Sequence, residues 1–365
     1  MADWKSVGRS QAGLIGALSR RADIVLTVLA SASAYRSLLD SGTLRNATYL
    51  EANEHPFTPK GSYELNRAYE DADVDLLHCL SPCVPRVALE ARPIVVTIHD
   101  LIPLAVPLSM PNALKRLEYA GRNRQALQVA SAVIVPSQVV AQDIHELFPL
   151  VTVDSTVIPE AVDESADRPV VEPTVSAPYL LAMGDTRPHK NLGLLIGALE
   201  KLQLTHPDTH LLLAGRQKRD WLKQQYEVFP GAKGMVHFTG PLDDARMRGY
   251  YRHAQAFLFP SYCEGFAREP LEAGTFALPV IASNATAISE VMADGVLLVD
   301  PHSIDGWVDA IASVLDNEAS ARDLGGRALQ RSGQFRWADT ATKTVEVYRA
   351  VLRDARVALN RAPLY

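Results

Sequence analysis

FLFPSYCEGFAREPLE, residues Phe257–Glu272, begins as an apolar run that stops at a proline, passes through a short loop around Gly265 and resumes near Pro270 with helix-forming residues. Strand, turn and helix start in that order are the repeating unit of a parallel sheet covered by helices. In such sheets ligands bind beyond the carboxyl ends of the strands, where the first N–H groups of the following helix lack intrahelical partners and attract an anion. Glu264 and Glu272 bracket this loop, eight residues apart. Carboxylates so placed accept hydrogen bonds from hydroxyls at the two ends of a sugar nucleotide. Ordinary solvated carboxylates show the same spacing, so spacing alone leaves both readings open.

Working outward, the same alternation fills the chain. After the loop, Leu278–Ala282 reads as a strand. Before it come strands at Tyr179–Met183, His210–Ala214, Val236–Thr239 and Ala256–Phe259, with a helix over Asn191–Leu202. In the first half, Ala22–Ala30, a segment from Val74 to His78, Pro93–His99 (PIVVTIH) and Ala132–Pro136 read as strands rich in β-branched residues. Asn112–Gln128 reads as a basic amphipathic helix, and Ser137 stands where an N-cap belongs. Pro159, Pro169 and Pro173 mark a weakly apolar linker over 158–176. The expectation is α/β: two Rossmann-like, doubly wound domains facing a cleft, at 1–165 and 175–340, with a last helix over 341–365 that packs on either. The opening, MADWKSVGRS, is too polar for a first strand, so that strand is missing or another element replaces it.

Composition sets outer bounds. At 365 residues the chain exceeds one ordinary core, and 47% hydrophobic with 21% charged residues is globular usage. A formal net charge of −6 argues against a general nucleic-acid binder. Cys79, Cys83 and Cys263 have neither zinc-site spacing nor a disulfide framework, which fits a reducing, cytoplasmic compartment. No run approaches the roughly 18–20 apolar residues of a membrane span, and the N-terminus lacks the apolar core of a signal peptide. Any membrane contact is expected to be peripheral.

The segment Pro260–Val280, with Asn284, Glu290 and VLLVDP at Val296–Pro301, resembles family-4 glycosyltransferases of the GT-B fold, which carry two glutamates separated by seven residues. That resemblance implies that Glu264 lies near the donor sugar and that Glu272 holds the ribose hydroxyls. It also implies that the backbone at Gly265, Phe266 and Ala267 faces the sugar or diphosphate. The chain departs from the family at Ala267-Arg268-Glu269, where Gly-Leu-Pro is usual, and at Glu160-Ala161 in IPEAVD, where Asn-Gly is usual.

A second segment, MGDTRPHKNL at Met183–Leu192, also resembles the family. A lysine or arginine clamp meets the charge that develops on a departing diphosphate without needing a metal. Lys190 matches the family's diphosphate lysine and Arg187 is an assisting candidate; a solvated lysine at a helix start is the plain alternative. A third, TIHDLIPLAVP at Thr97–Pro107, places His99 and Asp100 at a strand's carboxyl end. A lone histidine there is commonly structural, but this pattern recurs in the mannosyltransferase-like branch of bacterial polysaccharide glycosyltransferases. The resemblance implies a donor-sugar or acceptor contact for His99 and an acceptor-facing or structural place for Asp100. Gly8-Arg9 resembles the family's acceptor loop, while Gly215-Arg216 and Phe238–Gly240 fall where the family surrounds the nucleotide. Lys115, Arg116, Arg122 and Arg124 either meet anionic headgroups or form a solvated helix face.

The catalytic candidates are therefore Glu264, His99 and Lys190. Arg187, Lys190, Glu264, Gly265, Phe266, Ala267 and Glu272 are the donor-binding candidates, and Gly8, Arg9 and Asp100 the acceptor-binding ones. No metal or cofactor is expected beyond a nucleotide diphosphate sugar as co-substrate, with GDP-mannose ahead of UDP sugars. The resemblance implies a glycan or lipid-linked glycan as acceptor and a cytoplasmic protein, with peripheral contact at the inner membrane face as one option. The implied chemistry is transfer with retention through an oxocarbenium-like transition state, with orientation and charge stabilisation supplied by domain closure. An epimerase on the same fold is disfavoured by the two-glutamate segment. A hydrolase is disfavoured because its two carboxylates would have to flank the scissile bond. The remaining alternative is a catalytically silent relative that acts as a binding or scaffolding protein.

Overall fold

A computed structural model describes residues 5–361 apart from 41, 55–57, 72, 85–91, 164–168, 174, 176–177, 216–218 and 286. The chain divides into two compact units. One comprises Met1–Leu104, Asn112–Ala161 and Arg336–Tyr365; the other comprises Ala105–Pro111 and Val162–Phe335.

The first unit holds a parallel pair, β1 (Thr27–Ala30) with β2 (Thr48–Glu51), and a separate four-stranded parallel sheet. That sheet runs in chain order, β3 (Leu77–Cys79), β4 (Ile94–Thr97), β5 (Ala132–Val135) and β6 (Ser155–Val157). The fully buried IVVT of β4 lies at its centre, as expected for a strand covered on both faces. Of the expected strand over 22–30 only the last four residues pair, and the strand ending near His78 runs on to Cys79.

The opening segment too polar for a strand forms a helix, Lys5–Leu18. Its Leu14, Ala17 and Leu18, at helical spacing, pack with Trp337, Ala341 and Val345 of the last helix, Trp337–Arg361. Gly13 permits that approach: a methyl there would lie 2.2 Å from the Trp337 ring. The last helix also packs against β5 through Val347, Tyr348 and Val351. The Asn112 side chain caps helix Ala113–Val129 by accepting from the Lys115 N–H, and the buried Ser137 hydroxyl caps Gln138–Leu147 through Val140. Ser137 is thus a structural cap.

The second unit carries six parallel strands, β7 (Tyr179–Met183), β8 (His210–Ala214), β9 (Val236–Gly240), β10 (Ala256–Phe259), β11 (Val280–Ser283) and β12 (Leu297–Val299). Their order across the sheet is β12-β11-β10-β7-β8-β9, so the winding reverses between β7 and β10. A crevice opens at such a reversal because the connections leave to opposite sides, and it is the place where doubly wound sheets bind ligands. The core beneath is aliphatic around the fully buried Trp307, with the apolar helix Leu192–Leu202 packed against it.

Candidate functional site

The loops after β7 and β10 leave the sheet at the reversal, and they hold most of the donor-side candidates. Lys190 ends a short 3-10 turn at Pro188–Lys190, and its side chain is almost entirely buried. Its Nζ donates to Glu264 Oε1 at 2.6 Å and lies 5.1 Å from the centre of the Phe259 ring at the end of β10. Burial alone would disfavour the ammonium, but the carboxylates of Glu264 and Glu269 outweigh it and hold Lys190 charged above the ordinary lysine range. Burial lifts the Glu264 carboxyl above the usual carboxylate range against the pull of Lys190.

Tyr262 and Asn191 fix these loops in place. The Tyr262 N–H donates to the His189 carbonyl at 2.8 Å. The Asn191 amide donates to the carbonyls of Pro260 and Pro301, at 3.2 and 2.9 Å, tying the end of β7 to the ends of β10 and β12. Asn191 adopts φ +51°, a left-handed conformation that asparagine tolerates better than other side chains, and its side chain does not cap the helix it precedes. Sequence reasoning placed Asn191 only as a helix start; the left-handed preference of asparagine between a turn and a helix was the available signal.

Helix Arg268–Gly274 begins two residues ahead of Pro270, which sits within its first turn, where a missing N–H is tolerated. Ala267 is its fully buried N-cap; Gly265 is buried, and the buried Phe266 packs edge-on against Phe335 at 5.8 Å. Glu272 lies one turn into the helix. Arg268, the residue that departs from the family, donates from Nε to Glu272 Oε1 at 3.0 Å, and the Tyr251 hydroxyl reaches Oε2 at 3.4 Å. Both members of the Arg268–Glu272 pair are largely buried. Arg187 is more exposed and pairs with Asp185 at 2.8 Å. Buried in the same loops are two polar atoms with no hydrogen-bond partner, His189 Nδ1 and Ser261 Oγ. Burial, with the charges of Lys190 and Arg187, pushes His189 down to about 3, so it is neutral.

The first unit assembles a different cluster. His99, just past β4, meets Glu160 Oε1 through Nδ1 at 2.7 Å and the Leu80 carbonyl through Nε2 at 3.1 Å. The other oxygen of Glu160 accepts from the Ser10 hydroxyl in a short hydrogen bond. Gln11 Nε2 donates to the Leu80 carbonyl at 2.8 Å. The order is serine, carboxylate, histidine, so the serine proton faces the carboxylate and Ser10 is not an activated nucleophile. A cavity of about 30 Å³, room for about one water molecule, is lined by Ser10, Gln11, Thr97, His99, Glu160 and Thr340 among others. Behind it His78 bridges the Tyr348 hydroxyl and Thr97 Oγ1, at 2.6 and 2.8 Å, and burial pushes it down to about 3.

Gly8 and Arg9 lie on helix Lys5–Leu18 directly before Ser10, which reaches Glu160. Asp100 closes a turn by accepting from the Ile102 N–H at 3.1 Å. Glu160, which sequence reasoning weighed only as a departure from the hinge pattern, is the centre of the cluster. Of the basic residues on helix Ala113–Val129, Arg122 pairs with Glu118 at 3.6 Å, while Lys115 and Arg124 are exposed beside Leu114 and Leu117, both more than 70% exposed. Arg216 lies outside the described residues. Among the described residues no helix is long and apolar enough to cross a membrane.

Two family models match adjoining parts of the chain: Glycosyltransferase Family 4 over residues 7–166 and Glycosyl transferases group 1 over residues 163–331. A glycogen synthase of Mycobacterium tuberculosis is 31% identical over 244 residues, 64% of this chain and 58% of that protein. The chain thus spans less than two thirds of the length of that relative. A phosphatidyl-myo-inositol mannosyltransferase of Mycolicibacterium smegmatis is 26% identical over 309 residues, 81% of this chain and 76% of that protein. Among solved structures, Anabaena Alr3699/HepE in complex with UDP-glucose superposes with a TM-score of 0.71 at 18% identity, covering 94% of this chain and 96% of that one. At that identity the likeness establishes the fold.

Proposed function

The chain belongs to the family-4 glycosyltransferases, and from that premise we propose that it is a retaining, metal-independent enzyme transferring a hexose from a nucleotide diphosphate sugar to a glycan or lipid-linked glycan. The observation that carries this reading is the buried Lys190–Glu264 pair, with Glu272 nearby on the next helix, in the two loops that leave the sheet where its winding reverses. Lys190 meets the diphosphate as negative charge builds on it, Glu264 meets the sugar, and Glu272 takes the ribose hydroxyls once Arg268 yields. A fixed ammonium in a site that excludes water stabilises the leaving group without reorganisation cost, the work otherwise given to a metal. Gly265, Phe266 and Ala267 present backbone to the sugar or diphosphate, and Arg187 assists after leaving Asp185.

Mannose, carried by GDP, is the favoured sugar; the support is the HDLIPL pattern around His99 and the likeness to a mannosyltransferase. His99 contributes a contact to the donor sugar or the acceptor, and Gly8, Arg9 and Asp100 border the acceptor. Lys115 and Arg124 with exposed Leu114 and Leu117 suit peripheral contact with an anionic membrane on the cytoplasmic side.

A second reading, a catalytically silent relative, is favoured by one observation: the Arg268–Glu272 pair already occupies the ribose carboxylate. Thermal shifts with GDP, UDP, ADP and their sugar conjugates, with and without Mg²⁺, separate the two, because a ligand bound to the native state raises stability by mass action. The expected result is a base-selective, metal-independent shift that is lost in Glu272→Ala, with donor turnover falling at least about 10²-fold in Glu264→Gln. Binding without turnover on every acceptor tried selects the silent relative.

A further inference from the structure

Glu160 sits in the segment that follows β6, yet its carboxylate joins two distant parts of the first unit. Oε2 accepts from Ser10 on the opening helix and Oε1 faces Nδ1 of His99 past β4. The remaining ring nitrogen of His99 points at the Leu80 carbonyl, which can only accept, so Nε2 carries a proton. With a carboxylate on one side and a carbonyl on the other, the ring is held in one orientation with a donor at each nitrogen. We propose that Glu160 is the positioning residue of His99, holding the ring as a doubly protonated, fixed cation that cannot act as the base that takes the acceptor's proton.

The surroundings agree. His99 is largely but not fully buried, which by itself disfavours a charged ring, but the hydrogen bond and charge of Glu160, the charge of Asp100 and the Leu80 carbonyl outweigh that, and His99 is raised above the ordinary histidine range. A further titratable neighbour, His78, is neutral and adds no charge of its own. The direction of the linkage follows: the contribution of the pair to stability is complete below pH 6.5, the ordinary histidine value, and is lost as pH rises through the folded-state value.

The claim about the ring stands on the geometry alone; its consequence for catalysis rests on the reading of His99 as a donor-sugar or acceptor contact. The experiment is a ring-nitrogen NMR titration of the ¹⁵N-histidine-labelled full chain, with His99 assigned by His99→Gln, alongside the pH profile of GDP-mannose and UDP-glucose turnover. In the wild type the His99 midpoint should lie above 6.5, with both ring nitrogens carrying protons below it. In Glu160→Gln, which keeps the shape and removes the charge, burial should prevail and the midpoint should fall below 6.5. The basic limb of the turnover profile should move to lower pH with it, whereas a merely structural Glu160 would lower turnover equally at every pH. A wild-type midpoint at or below 6.5 overturns the inference whether or not the variant folds, and so does an unchanged midpoint in Glu160→Gln. Should the midpoint move while the turnover profile stays still, Glu160 controls the ring and the placing of His99 at the substrate is what falls. Absence of turnover in the wild type counts against the proposed activity and leaves the NMR result to decide the inference.

Discussion

The two units concentrate charge by different routes. In the second, cation and carboxylate come from neighbouring loops brought side by side by the strand order: Lys190 after β7 with Glu264 after β10, and Arg268 with Glu272 one helical turn on. In the first, Ser10, His99 and Glu160 come from an opening helix, the end of a strand and a segment some sixty residues further on. The lesson concerns where function is written. A site at a winding reversal is assembled from short continuous motifs, whereas a site bridged by one largely buried carboxylate exists only once the chain has folded.

The largest expected effect breaks the second unit's arrangement. Lys190→Met leaves the carboxylate of Glu264 buried without its cation, and stranding one member of a buried pair costs about 3–5 kcal/mol. Urea unfolding should register that loss, and nucleotide diphosphate binding should vanish with it. The double substitution Lys190→Met with Glu264→Leu should recover most of the stability and none of the binding, because two apolar side chains replace a buried ion pair at little cost. If the double variant is as unstable as the single one, the pair is not the unit that the geometry describes.

A smaller effect sharpens the comparison through pH. His189 in the second unit and His78 in the first are both pushed down to about 3, chiefly by burial, so each is neutral when folded and takes up a proton on unfolding between pH 6.5 and 3. Across that window the unfolded chain binds more protons, and stability falls as pH falls. His99 has the opposite sign and loses its contribution as pH rises. Potentiometric titration of native and urea-unfolded protein should show proton uptake on acid unfolding reduced by about one in His189→Asn and by about one in His78→Asn, one for each titrating group removed. No change in either would mean that these rings are solvated.

Much of the second unit was legible because its signals are local. Apolar runs ending in Gly184 and Pro260 mark the ends of β7 and β10, and the residues expected near the donor fall in the loops that follow. Arg268 was visible as a departure, but its i,i+4 pairing with Glu272 had to be seen. The first unit was read less fully. β2 (TYLE) has no buried residue and no apolar alternation, so nothing in its pattern marked a strand. Helix Lys5–Leu18 starts among polar residues and shows its apolar stripe only from Leu14 on. Glu160 was visible only as a departure from the hinge pattern, since a bond between residues 10 and 160 leaves no trace in local spacing.

The smallest change to stability carries the most direct test of the donor side. Arg268→Leu restores the residue type usual in the family and removes the ion pair with Glu272 within one helix, worth about 1 kcal/mol after its desolvation is counted. Glu272 then keeps the Tyr251 hydroxyl but loses its cation, and its carboxylate turns to whatever hydroxyls are offered. A ribose that no longer competes with Arg268 gains about the energy of the lost pair, which is about fivefold in affinity. Calorimetric titration with GDP and UDP should therefore show tighter binding in Arg268→Leu than in the wild type, at slightly lower thermal stability. Weaker binding would mean that Arg268 itself meets the nucleotide, and the departure at this position would then be part of the donor site rather than a latch upon it.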